Sequence, residues 1–157
     1  MNHIQVGNEA PDFSLLDAFG KDPITLSEHR GQPVVLMFVP LAFSGMCTEE
    51  LCHIGENWNQ WGALGARVYA ISIDSPFSNQ QWRKEMDVPF PILSDFNKNA
   101  ARAFGVLQDD FFGLDGVAKR SVFVVDGEGR VAYAWVSDNP GVLPPFDEVV
   151  GAVRSLA

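Results

Sequence analysis

The sequence predicts an α/β domain: a central mixed β-sheet with helices on both faces, preceded by an N-terminal β-hairpin. Three observations predict it. Residues 34–39 form an unbroken apolar run rich in β-branched side chains, which suits a central strand buried on both faces. Stretches with helical spacing alternate with further strand-like runs along the chain. Late in the chain, Asp126-Gly127-Glu128-Gly129 separates two apolar runs and reads as a hairpin turn.

The elements follow in order. Phe13-Ser14-Leu15-Leu16 and Ile24-Thr25-Leu26 read as short strands around the turn Gly20-Lys21-Asp22-Pro23. The run 34–39 stops at Pro40, which has no N–H for a ladder. Cys47, Leu51, Ile54, Trp58 and Trp61 then share one helical face, and Gly62 and Gly65 end the pattern. Residues 68–73 form a second buried strand. Ser75-Pro76 opens a helix to about Met86, with proline tolerated in the first turn. Pro89 and Pro91 bracket an extended segment reaching Leu93. Asn97 is expected to cap a short helix through Phe104, closed by Gly105. Residues 121–125 and 131–136 are the strands of the late hairpin. Pro144-Pro145 opens a last helix that buries Phe146, Val149, Val150, Val153 and Leu156. Helix-connected strands run parallel and the hairpin runs antiparallel, so the sheet is mixed. A thioredoxin-like fold has this order of elements. With no repeat or linker, residues 1–157 read as a single domain.

The bulk numbers narrow the function. The 157 residues are 46% hydrophobic and 20% charged, ordinary for a globular chain. A net charge of −9 repels phosphate backbones and anionic membranes, so neither nucleic acid nor membrane is expected as a partner. The N-terminus lacks a basic stretch followed by an apolar run, so no secretory signal is read there. No apolar run approaches the roughly 20 residues needed to span a bilayer. A cytoplasmic location is expected. Two cysteines are too few for a disulfide-stapled scaffold; in a reducing compartment, two close together read as reactive or metal-binding.

The segment Pro40-Leu41-Ala42-Phe43-Ser44-Gly45-Met46-Cys47-Thr48-Glu49-Glu50-Leu51-Cys52 follows a buried strand and opens a helix. Cys47 falls in the first helical turn, at the positive end of the dipole, where unpaired N–H groups stabilise a thiolate. Pro40, Ser44 and Cys47 fit the Pro-x-x-x-Thr/Ser-x-x-Cys pattern of the peroxiredoxins, and the sequence resembles that family along nearly its whole length. Ala10-Pro11-Asp12-Phe13, Pro91-Ile92-Leu93-Ser94-Asp95 and Arg120-Ser121-Val122-Phe123-Val124-Val125-Asp126 match in order and spacing. The segment from Pro40 to Cys47 resembles the one-cysteine AhpE-type branch. The second cysteine five residues on resembles the bacterioferritin comigratory protein (PrxQ) branch.

The resemblance implies a thiol peroxidase with no cofactor and no metal. Cys47 would attack hydrogen peroxide or an organic hydroperoxide and become a sulfenic acid. Ser44 would hydrogen-bond the peroxide, Pro40 would shield the thiolate, and Arg120 would hold the thiolate and polarise the peroxide. Glu50, one turn after Cys47, would pair with Arg120 and aim it. Cys52 would resolve the sulfenic acid as an intramolecular disulfide, reduced by a thioredoxin- or glutaredoxin-like protein. A monomer or homodimer is implied, and the chain shows no C-terminal extension with a third cysteine that could serve instead. Two departures stand out: Ser44 replaces the more frequent threonine, and Val39 stands where many relatives carry an aromatic ring.

Blander readings exist for each residue. Ser44 and Thr48 are possible helix caps, Pro40 a strand terminator, and Arg120 a surface arginine. Glu50 could be a solvated helix residue and Cys47 an inert core thiol. In an ideal helix the Cα atoms of Cys47 and Cys52 are roughly 8.7 Å apart, beyond the disulfide limit of about 7 Å, so that bond requires unwinding. Among rivals, a thioredoxin-type oxidoreductase wants Cys-x-x-Cys. A zinc module built on Cys47, Cys52 and His53 lacks a fourth ligand, since His3 and His29 are distant in sequence. A peroxide sensor shares the first chemical step.

Overall fold

A computed structural model describes residues 3–156. Met1, Asn2 and Ala157, the ends of the expected 1–157 domain, lie outside the described residues. The central sheet has five strands in the order β5 (Ile92–Ser94), β4 (Arg67–Ser72), β3 (Val34–Phe38), β8 (Ser121–Val125), β9 (Val131–Val136). β3 pairs parallel with β4, and β4 with β5; β8 runs antiparallel to both β3 and β9. The expected mixed sheet is therefore present. So is the N-terminal hairpin: β1 (Ser14–Leu15) pairs antiparallel with β2 (Ile24–Thr25). Leu26, expected to extend the second strand, instead opens a 3-10 turn over Leu26–His29.

All five residues of β3 are buried, and its side chains alternate between two cores. Val34, Leu36 and Phe38 join a cluster under the hairpin and α4 (Asn99–Ala103). Val35, Met37 and Val39 join the opposite cluster. The second cluster is covered by α1 (Gly45–Glu56), α2 (Trp58–Gly62), α3 (Pro76–Met86) and α5 (Phe146–Arg154). A strand packed on both faces has no polar side, which explains its continuous apolar sequence.

Two further expectations need correction, and one element was not expected. The single helix expected from Cys47 to Trp61 is broken at Asn57, whose φ and ψ of −105° and 24° leave the helical region. The Asn57 N–H is shared between the carbonyls of His53 and Ile54, and its Nδ2 donates to His53 O at 2.8 Å. The side chain competes for the backbone acceptor and ends the ladder. Asn97 does not cap α4. The Asp95 carboxylate does, accepting from the N–H groups of Ala100 (3.0 Å) and Ala101 (2.8 Å) across a turn in which Lys98 is left-handed. Finally, a short hairpin, β6 (Leu107–Gln108) with β7 (Val117–Ala118), precedes β8 and carries the loop 109–116; the sequence reading did not include it.

Candidate active site

The parallel strands end on one edge of the sheet, and the connection from β3 to α1 crosses it. Val39 N–H still bonds Ile71 O at 2.9 Å, and Pro40, buried, then leaves the ladder. Phe43 adopts φ of +65°, an unfavourable conformation for a bulky residue. Its neighbours fix it: Ala42 N–H donates to Asp74 Oδ2 at 2.7 Å, and Ser44 Oγ–H donates to Leu41 O at 3.0 Å. Ser44 occupies the N-cap position, and its carbonyl accepts the first helical bond from Thr48 N–H. Its hydroxyl, turned to Leu41, makes no cap bond. Among the described residues, the N–H groups of Gly45, Met46 and Cys47 therefore have no protein acceptor. Uncapped donors at a helix start suit an anionic or peroxidic oxygen.

Cys47 sits in this first turn, fully buried, on the same inward face as Leu51 and Ile54. The register of β8 brings Arg120 to it. Ser121 is opposite Phe38, so the preceding residue lies beside the point where β3 gives way to the active-site loop. Arg120 is 3% exposed and Glu50 is fully buried, so neither is a surface residue. Arg120 Nη1–H donates to Glu50 Oε1 at 2.8 Å, and Nη2–H donates to Pro140 O at 3.4 Å. Arg120 Nε and Glu50 Oε2 have no protein partner, leaving one donor and one acceptor unused in a buried place. Burial pushes the Glu50 carboxyl up to about 7, with Arg120 pulling against it. Burial also works against the Arg120 charge, but the adjacent Cys47 and Glu50 outweigh it and hold the guanidinium above its ordinary value.

A cleft of about 430 Å³ opens beside these groups. Ser44, Gly45, Met46 and Arg120 line one side, with Leu41, Pro140 and Gly141; Phe111, Phe112 and Leu114 of the loop 109–116 form an apolar wall. A larger cavity, about 570 Å³, lies between the N-terminal hairpin and the start of α3 and touches none of residues 40–52. Cys52 lies in the same unbroken helix as Cys47 but is only partly buried; both thiols are free. Burial, then the charge of Glu56 one turn on, pushes the Cys52 thiol up.

The structure thus brings Ser44, Cys47, Glu50 and Arg120 to one place, with Pro40 buried at the start of the loop that carries Ser44, and leaves Cys52 only partly buried further along α1. Thr48 caps nothing; its Oγ1 accepts from Trp82 Nε1–H at 3.1 Å. The histidines of the zinc reading are scattered: His53 stacks on Phe146, and His29 bonds the Tyr69 hydroxyl. The sequence reading missed Asp74, Trp82, Pro140 and the 109–116 wall. Asp74 and Pro140 meet the site through backbone atoms, Ala42 N–H and Pro140 O, which leave no trace in residue type.

Comparison with known proteins agrees with this geometry. Residues 6–134 match the AhpC/TSA family. The chain is 34% identical to Peroxiredoxin-2 of Mus musculus over 161 aligned positions, covering 96% of this chain and 78% of that protein. It is 30% identical to Peroxiredoxin 2 of Thermoplasma acidophilum, with 96% and 75% coverage. Among solved structures, the peroxidoxin BcpB of Mycobacterium tuberculosis superposes with a TM-score of 0.85 at 28% identity, over 99% of each chain. A peroxiredoxin-like protein of Aquifex aeolicus superposes with a TM-score of 0.89 at 26% identity, over 100% of this chain and 90% of that one. A thiol at a helix start beside a buried arginine, on this sheet and with these relatives, places the chain in the AhpC/TSA family of peroxiredoxins, enzymes that reduce peroxides with a cysteine thiol.

Proposed function

We propose that Cys47 is the peroxide-reducing thiol and Cys52 its resolving partner. The observation that carries the first assignment is the convergence on one buried spot of the Cys47 turn, with its uncapped N–H donors, and the Arg120 guanidinium. The Cys47 thiolate attacks the terminal peroxide oxygen, the O–O bond breaks, and the departing alkoxide or hydroxide takes a proton to leave as alcohol or water. Cys47 becomes a sulfenic acid. Arg120 and the helix donors stabilise the negative charge shared between sulfur and the two oxygens. Ser44 keeps free lone pairs to accept from the peroxide O–H, because its own proton is directed at Leu41 O. Pro40 closes the loop side of the site without adding a donor. Glu50 holds Arg120 in place through the 2.8 Å bond. The apolar wall of Phe111, Phe112 and Leu114 accommodates the organic part of a hydroperoxide, alongside hydrogen peroxide itself.

In the second step, Cys52 sulfur attacks the sulfenic sulfur; the S–S bond forms, the S–O bond breaks and water leaves. Both residues lie within α1, so the first turns must unwind before the sulfurs meet. A thioredoxin- or glutaredoxin-like protein in a cytoplasmic setting then returns the disulfide to two thiols. Mass spectrometry of the reduced protein after one equivalent of hydrogen peroxide tests the scheme. Loss of two hydrogens with a Cys47–Cys52 linked peptide is the expected result. A stable gain of oxygen at Cys47 would make this a one-cysteine enzyme.

A further inference from the structure

Two hydrogen bonds hold the active-site loop and the start of α1 from outside, one from the β4–α3 connection and one from α3 itself. Asp74 Oδ2 accepts from Ala42 N–H at 2.7 Å, the shortest tie between that connection and the loop. Eight residues on, the buried Trp82 of α3 donates its indole N–H to Thr48 Oγ1 at 3.1 Å, and its ring lies 6.2 Å from that of Phe43. The two ties straddle the left-handed Phe43 and the first turn of α1.

The anchor itself is rigid. Asp74 N–H donates to Ser72 Oγ at 3.2 Å, and Asp74 O accepts from Ser94 Oγ at 2.6 Å and from Asn79 Nδ2 at 3.4 Å. Ser72 and Asn79 are buried and bonded to each other at 2.7 Å, so β4, α3 and β5 all fix the backbone that carries the carboxylate.

A carboxylate next to this loop cannot serve by charge, because a negative group disfavours a thiolate nearby. Its contribution is positional. We propose that Asp74 and Trp82 form a clamp that holds the loop and the start of α1 in the peroxide-reactive arrangement, and that this clamp must open before Cys47 can reach Cys52. They are positioning residues acting on Cys47 through Ala42 and Thr48. The inference rests on the two-cysteine scheme above for its second half only.

The consequence is a trade between two steps. Weakening the clamp slows peroxide attack, which needs the assembled turn, and speeds disulfide formation, which needs it undone. Rapid quench of Asp74→Ala, followed by mass spectrometry, reads both steps in one time course. The expected result is a peroxide step slower by about tenfold, the scale of one hydrogen bond to a charged acceptor, with a faster disulfide step. Less sulfinic acid should accumulate at a given peroxide concentration. Asp74→Asn, which keeps an acceptor oxygen, should restore most of the peroxide rate. Trp82→Phe, which keeps an aromatic ring of smaller size and loses the N–H, should shift both steps in the same directions by less. Both steps slowing together, or an unchanged partition between them, overturns the clamp. If the wild type forms no Cys47–Cys52 disulfide, the resolution scheme fails by itself. The clamp then stands or falls on the peroxide step and its recovery in Asp74→Asn.

Discussion

Glu50→Gln separates burial from pairing at the centre of the site. The carboxyl is fully buried, and burial raises it from 4.5 to about 7 even with Arg120 bonded at 2.8 Å. The folded protein therefore keeps a proton on Glu50 that the unfolded chain releases near 4.5. Between these values the folded state binds more protons, so the stability contributed by this group is fully present below about 4.5 and is lost as pH rises through about 7. A shift of about 2.5 units at ~1.4 kcal/mol each amounts to about 3 kcal/mol. Glutamine has a similar shape, keeps an oxygen to accept from Arg120, and does not titrate. Urea denaturation of both reduced proteins between about pH 4.5 and 8 gives the difference directly, because titrating groups remote from Glu50 cancel in it. The glutamine variant should gain about 3 kcal/mol relative to wild type across that window. A flat difference would refute the reasoning: Glu50 would then be ionised throughout, with Arg120 outweighing burial.

Further outcomes follow from the site. Cys47→Ser should have no peroxidase turnover and an unchanged near-ultraviolet circular dichroism spectrum; residual turnover would move the chemistry elsewhere. Arg120→Met should slow peroxide reduction by about 100-fold, the usual scale for removing one donor that faces developing negative charge, and slow alkylation of Cys47 as well. The same loss should appear in an Arg120→Met, Glu50→Gln double variant, which would show that an abandoned buried carboxyl group is not its cause. Oxidation should speed hydrogen exchange across residues 44–54 while β3 and β8 stay protected; unchanged exchange with a disulfide formed would rule out unwinding. Cys52→Ser should accumulate first sulfenic and then sulfinic acid at Cys47, followed by peptide mass.

The parts of this molecule legible in its sequence are those set by local physics. β3 shows itself because both of its faces are buried, and α3 because Ser75 caps it, accepting from Ser78 N–H, with proline at its start. The β8–β9 hairpin is announced by its turn. The α1–α2 break escaped because the spacing of apolar residues continues through Asn57: Trp61 is still buried after the ladder has ended. The β6–β7 hairpin has two residues per strand, too few for an alternation to register, and its partners lie nine and eleven residues apart. At the proposed site, Cys47, Ser44, Glu50 and Arg120 can be singled out from sequence because the chemistry proposed for them depends on residue type. Asp74 and Trp82 are not. Each looks like an ordinary polar or core residue until tertiary structure sets it against a backbone N–H or a threonine hydroxyl.

The break at Asn57 has a consequence for how far a disturbance can travel. Helical order is cooperative along a continuous ladder, so unwinding that starts at Ser44 tends to run to the end of its segment. Here the segment ends at Glu56, and α2 begins afresh with Trp58 against Phe90 and Trp61 in the core. Asn57 works as a firebreak. Three of the four tryptophans of the chain fall on either side of that break. Trp82 touches the segment proposed to unwind, through Thr48 and Phe43, whereas Trp58 and Trp61 stand beyond the break. Trp82 is thus the indole bonded directly to that segment, and a change in its emission on oxidation would follow the catalytic cycle without any added label.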